Sequence, residues 1–181
     1  MKYPDITLGR IEAVWNKLGG EKGVQHLLSG VSEIVIKKHV IDLQAVSYVS
    51  SNWTVEEHQK GTPLQWDVSK VQLYLDNDQK NGKSIEGSKL HKLLVGKPVM
   101  NANVLDYLVA NPFLIPKNWR RNQEGHLRRI FFWGTIYRDS KGKLHVRYMS
   151  FNNSDWNWYS SACGLDDFFR DNDPAAYLRA S

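Results

Sequence analysis

Apolar residues at Ile11, Val14, Trp15 and Leu18 fall three and four apart, the spacing that lines one side of a helix. Thr7 stands where a hydroxyl can accept from a free N–H of the first turn, and Gly19 and Gly20 end the pattern. Val24, Leu27 and Leu28 repeat the spacing in a second, shorter helix closed by Gly30, so residues 1–30 read as an αα-hairpin. Over 32–40 the period changes: Ile34 and Ile36 alternate with Glu33, Val35 and Lys37, as along a strand. Residues 42–69, punctuated by Trp53, Pro63 and Trp66, predict loop with a short strand near 45–49. Val71, Leu73 and Leu75 alternate with Gln72 and Tyr74 and predict a half-buried strand, and the polar run 76–83 predicts an exposed turn.

Leu90, Leu93 and Leu94 predict a helix ending at Gly96. Asn101 is placed to cap another, with Val104, Leu105 and Leu108 inward and Pro112 forbidding its continuation. Pro116 starts a short helical turn that carries Trp119. From Arg128 or Arg129 onward the alternation predicts antiparallel strands, with turns at 139–143, where Gly142 supplies positive φ, and at 152–155. Asp173 followed by Pro174 reads as a cap and first helical position for a last short helix, with Tyr177 and Leu178 inward. The class is α+β: an N-terminal αα-hairpin, a helical middle and a C-terminal antiparallel β-meander. The division expected is one domain over 1–181, with 1–30 as a candidate appendage and 128–181 as the aromatic meander plus its terminal helix.

Three of the seven tryptophans fall within 130–159. On alternating faces, Ile130, Phe132, Gly134 and Ile136 oppose Phe131, Trp133, Thr135 and Tyr137, and Arg147 falls among bulky apolar neighbours. Trp156 and Trp158 share a face of the third strand. One reading makes these rings core, since aromatics bury large areas. The other keeps Trp133, Tyr137, Trp156 and Trp158 at a groove where bases stack and arginines grip phosphate.

Charge sharpens that second reading. The segment 117–129 carries Lys117, Arg120, Arg121, Arg128 and Arg129 against Glu124 alone, a net of +4. The chain as a whole is +5 with a pI near 9.2, which favours anionic partners. Asp166, Asp167, Asp171 and Asp173 form an acidic counterpart that reads as solvated surface ahead of a metal site. Cys163 is the single cysteine, which points to a reducing compartment, the cytoplasm, and it reads as a structural thiol. No stretch is apolar enough for a membrane span or a signal-peptide core, so no membrane partner is expected.

Motifs for common chemistries fail on their mechanics. Gly82-Lys83-Ser84 matches the end of a phosphate loop, but Asn77 stands where its first glycine belongs. The same stretch lacks the glycine and glutamate a calcium loop needs, with Asn81 and Gly87 there instead. The six histidines have no zinc-ligand spacing. No catalytic residue, cofactor or metal is expected.

The runs LGRIEAVWNKLGGEKGV, NANVLDYLVANPFLIPKNW and FFWGTIYRDSKGKLHVRY resemble segments of a family of small bacterial proteins without an established activity. The resemblance spans most of the chain. It implies a bacterial, phage or mobile-element origin, and genes of that type include some whose products sequester nucleotides or disable host proteins.

The function expected is non-enzymatic binding of an anionic ligand, a nucleotide or short oligonucleotide. Arg128, Arg129 and Arg147 would hold phosphate, and Trp133, Tyr137, Trp156 and Trp158 would form the aromatic surface. Two alternatives stand beside it. One is a protein-interaction module using the αα-hairpin or a strand edge. The other is duplex DNA binding through Lys22, Gln25 and His26 of the second helix.

Overall fold

Helix α1 (Leu8–Lys17) and helix α2 (Gly20–Leu28) follow the apolar spacing, with Gly19 between them at φ 87°, a left-handed turn that glycine adopts without steric cost. The structure is a computed structural model that describes residues 7–33 and 38–179. It divides into two units, Met1–Lys38 and His39–Ser181. Thr7 occupies the N-cap of α1 with extended backbone, yet its hydroxyl makes no capping bond. Neither helix has a buried residue, and Ile11 and Val14 are 52% and 56% exposed. The strand expected over 32–40 rests on 34–37, which lie outside the described residues.

The second unit is built on a six-stranded mixed sheet. Its strands are β2 (Thr54–His58), β4 (Val71–Tyr74), β6 (Arg129–Arg138), β7 (Leu144–Asn152), β8 (Asn157–Gly164) and β10 (Ala175–Leu178). The order is β4-β10-β6-β7-β8, with β2 antiparallel to the end of β6. Strands β6, β7 and β8 succeed one another antiparallel, and Gly142 at φ 82° makes the first turn. Two short ladders flank the sheet: β1 (Val40–Ile41) with β3 (Leu64–Gln65), and β5 (Ile85–Glu86) with β9 (Phe168–Phe169). Helix α3 (Gly87–Leu94) and helix α4 (Ala102–Ala110) complete the unit. No helix among the described residues is long and apolar enough to cross a membrane.

Both faces of the sheet are covered. Val104, Leu105 and Leu108 of α4 pack with Ile130, Phe132, Met149, Trp66 and Trp119 on one side. Leu90 and Leu94 of α3 pack with Phe131, Trp133, Val146 and Phe169 on the other. A strand covered twice reads as an unbroken apolar run, which is why 130–137 shows so little polarity. The alternation breaks once. Ile136 lies with Phe131 and Trp133, not with Ile130 and Phe132 as strict alternation predicts, because the β6–β7 register shifts between Phe131 and Ile136. The cause lies across the sheet: Gly134 N–H donates to the Met100 carbonyl at 2.9 Å, and a Cβ there would stand 2.9 Å from the Asn101 backbone. Only glycine admits that approach.

The expected terminal helix is a strand. Ala175–Leu178 run antiparallel to β4 and meet β6 in parallel register at Ala175 and Phe131. Asp173 does not cap a helix here; its carboxylate accepts from the backbone N–H of Arg170 and from Arg129. Two ladders outweigh the local helix preference of an Asp-Pro-Ala-Ala run. The strand expected near 45–49 is absent, and β2 and β3 occupy the region read as loop. Asn101 precedes α4 as expected, but its amide donates to the carbonyls of Leu43 and Gln59 and makes no cap bond.

Candidate functional site

The arginines of the aromatic segment divide into two sets. Arg129 pairs with Asp173 through two bonds of 2.7 and 2.9 Å, Arg138 with Glu56 at 2.8 Å, and Arg147 with Asp106 at 2.6 and 3.0 Å. Hydrogen bonding to Asp173 raises Arg129 above the ordinary arginine value against the opposing effect of burial. Such bidentate pairs occupy the donors a phosphate would use. Arg120, Arg121 and Arg128 form the other set. Among the described residues they meet no carboxylate and donate to Asn153, Gly125 and Asn118 respectively, Arg121 also reaching Asn153. Burial alone lowers Arg128 from the ordinary value, and arginine remains charged throughout the physiological range.

The aromatic residues separate in the same way. Trp133 and Tyr137 are interior, 3% and 1% exposed, and the Tyr137 hydroxyl meets Ser47 Oγ at 2.7 Å. Each borders a pocket described below, but neither leaves a ring face open enough for a base to stack on. The apolar cover on both sheet faces is the reason. Trp158 is half-buried against the α4 side. Trp156 stands 73% exposed, in the turn before β8, at φ 50°. It therefore does not share a strand face with Trp158, yet both indoles pack edge-on to Phe151, at 6.1 and 5.6 Å. A bulky side chain in the left-handed region is strained, typically by about 1–3 kcal/mol, and such strain concentrates at functional positions.

Arg120 joins these rings. Its guanidinium lies 3.7 Å over the Phe151 ring and 4.7 Å from that of Trp156, while Nη2 donates to Asn153 Oδ1 at 2.7 Å. Arg121 reaches the same oxygen at 3.4 Å. The result is an exposed indole backed by a guanidinium, with a second arginine beside it. One carboxylate belongs to the same turn: Asp155 accepts from Asn152 at 2.6 Å. Of the residues singled out in the sequence, this cluster holds Trp156 and Trp158. Arg120 and Arg121 belong to the cationic run noted there, and Phe151 lies near the end of β7. What the sequence does not reveal is which of six neighbouring arginines meet acids.

Two of the expected residues meet elsewhere. Tyr137 and Arg147 border a pocket of about 310 Å³ with Tyr48, Trp53 and Ser160. Arg147 is already paired with Asp106, which engages donors an anion in this pocket would need. A third site is a cleft of about 340 Å³ where Glu57, His91 and Trp133 converge from β2, α3 and β6. His91 Nε2 lies 3.1 Å from Glu57 Oε2, and no serine, threonine or cysteine lines the cleft to act as a nucleophile. Neighbouring His58 is held in the sheet by Thr135 and Leu43.

Lys22, Gln25 and His26 fall on one side of α2, with Gln25 donating to Glu21 at 3.2 Å. The acidic run does not gather: Asp166 pairs with Lys143 at 2.8 Å, Asp167 accepts from the Gly164 N–H, and Asp173 holds Arg129. Among the described residues no three of His, Cys, Asp and Glu are placed to share a metal ion. In the stretch compared with a phosphate loop, Asp78 lies 3.9 Å from Lys83. No protein-family model, curated protein or solved structure matches the chain.

Proposed function

We propose that the second unit binds an anionic, base-bearing ligand, a nucleotide or short oligonucleotide, on the Trp156 surface. The observation that carries this reading is an exposed indole in strained backbone, stacked beside an arginine that no described carboxylate neutralises. Stacking on an aromatic face contributes roughly 1–3 kcal/mol per base and tolerates any base. Arg120 and Arg121 supply the positive charge that draws phosphate. The chemistry requires no catalytic group. A bacterial or phage protein with this activity would act by sequestering its ligand.

Tryptophan fluorescence titrated with mononucleotides and short single-stranded oligonucleotides at low salt tests the proposal. The expected result is quenching that saturates and is lost in Trp156→Ala. An unchanged spectrum across that panel overturns it.

One observation favours a second reading, a protein-binding role for the first unit. Ile11, Val14, Trp15 and Leu18 line an apolar groove of about 420 Å³ on α1, in a unit whose helices have no buried residue. Exposed apolar surface of this kind commonly marks a protein interface. Retention of one stoichiometric partner, lost in Val14→Asp, would support it.

A further inference from the structure

Among the described residues Arg128 is the one ligand arginine named from the sequence that meets no carboxylate. It borders a separate pocket of about 270 Å³, with Arg179, Gln72, Asn118 and Trp119 among its walls. Among the described residues no aspartate or glutamate lines that pocket. Asp67, adjacent in sequence to the wall residue Val68, is occupied by the backbone and hydroxyl of Ser69. Arg128 Nη1 donates to the Asn118 carbonyl at 2.7 Å, and Nε is buried without an acceptor. Two guanidinium groups and two amide-bearing residues, with no anion among the described residues, make a cavity chemically complementary to a phosphoryl group.

The pocket and the Trp156 surface share one backbone ladder. Arg128 N–H donates to the Arg120 carbonyl at 3.2 Å, Arg121 bridges Leu127, and Asn122 N–H donates to His126 at 2.9 Å. Facing residues on such a ladder have Cα atoms about 5 Å apart. From these adjacent positions Arg120 reaches Phe151 and Trp156, whereas Arg128 reaches Asn118 and the pocket. The ladder thus carries two cationic stations, one with an exposed ring, Trp156, and one whose wall ring, Trp119, is buried.

We infer that the Arg128–Arg179 pocket is a phosphoryl subsite and that the ligand of this face is a single-stranded oligonucleotide. This rests on the reading of Trp156 as a base platform. A ligand that engages both stations carries at least two phosphoryl groups, which a nucleoside monophosphate lacks. A duplex is disfavoured because its bases are already stacked and offer no free face to an indole.

The test compares thymidine monophosphate, an oligothymidylate of about six nucleotides, within the usual site sizes, and inorganic phosphate as competitor. Wild type is expected to bind the oligomer much more tightly than the monomer. Arg128→Gln and Arg179→Gln should each weaken the oligomer about tenfold or more. Each should also flatten the salt dependence by about 0.7 in log–log slope, and leave the monomer unchanged. Inorganic phosphate should compete with the oligomer in wild type and not in Arg128→Gln. Should Arg128→Gln fail to fold, the exposed Arg179→Gln decides. Equal affinity for monomer and oligomer, or wild-type oligomer binding in Arg179→Gln, overturns the subsite and leaves Trp156 standing. Oligomer binding that survives Trp156→Ala removes the platform itself.

Discussion

The guanidinium of Arg129 lies against the carboxylate of Asp173, with Nε to Oδ1 at 2.7 Å and Nη2 to Oδ2 at 2.9 Å. The Asp173 side chain is 3% exposed and the Arg129 side chain 39%. Gln79, itself buried, donates to the Asp173 carbonyl at 3.0 Å, so the pair ties the start of β6 to the start of β10. Asp173→Asn should destabilise the fold by about 2–3 kcal/mol, below the 3–5 kcal/mol of a fully buried pair because water still reaches Arg129. Urea unfolding measures it. A loss below about 0.5 kcal/mol would show the pair to be dispensable.

Thr135 performs two tasks with one hydroxyl. It accepts from the Ala102 N–H at the start of α4 at 3.0 Å and meets His58 Nδ1 at 2.9 Å. His58 Nε2 faces the Leu43 carbonyl at 3.1 Å, which can only accept, so Nε2 bears a hydrogen, and in the neutral imidazole Thr135 donates to Nδ1. Thr135→Val strands one donor and one acceptor and should cost about 2–4 kcal/mol in thermal or urea unfolding. Thr135→Ser keeps both bonds and should cost under about 1.5 kcal/mol.

Hydrogen-bonded carboxylates, Asp139 and Asp166 among them, lend the fold an acid limit. The His145 hydrogen bond holds Asp139 below the ordinary carboxylate range, and the Lys143 hydrogen bond does so for Asp166. A folded-state value below the unfolded value means stability that is present above about pH 4 and is lost as pH falls through the folded value. The midpoint of unfolding should therefore drop below about pH 4. The drop should be shallower in Asp139→Asn/Asp166→Asn. An identical acid limb in that double variant would assign the effect to other groups.

Burial, followed by the Asp167 carboxylate 3.2 Å from its sulfur, pushes the Cys163 thiol up to about 11. The thiolate fraction at neutral pH then falls about two orders of magnitude below that of a free cysteine near 8.5. Iodoacetamide should modify the native protein about a hundredfold more slowly than the urea-unfolded chain, read by intact mass. Equal rates would contradict that environment.

Asp155 is the acid that shares a turn with Trp156. Removing its charge should strengthen oligonucleotide binding two- to threefold at low salt, with the gain fading as salt screens it, an effect of about 0.5 kcal/mol. A titration of Asp155→Asn at two salt concentrations reads both parts. Weaker binding would imply that the carboxylate itself contacts the ligand.

Local pattern carried the α+β class and the placement of α3 and α4, because leucine spacing, Gly96 and Pro112 act within a few positions; Asn101 marks the start of α4 but bonds to Leu43 and Gln59 far along the chain. It also carried the turn at Gly142. What it missed depends on partners far along the chain. The acids that neutralise Arg129, Arg147 and Arg138 lie 44, 41 and 82 residues away. Nothing in a local run of cations distinguishes these from Arg120, Arg121 and Arg128. The change of face at Ile136 follows from the Met100–Asn101 backbone pressing on Gly134, which a period-two reading treats as an ordinary strand position. Ala175 and Ala176 favour helix locally, and only their two neighbouring strands make them extended.

That insertion of β10 sets an order of events during synthesis. A ribosome delivers β4, β6, β7 and β8 before the strand that belongs between the first two. Until residues 175–178 emerge, β4 has no neighbour in the sheet, and the first half of β6 offers one bare edge along a very greasy stretch. The nascent protein thus passes through a stage prone to sticking to its own kind, and a holding chaperone would find its client there.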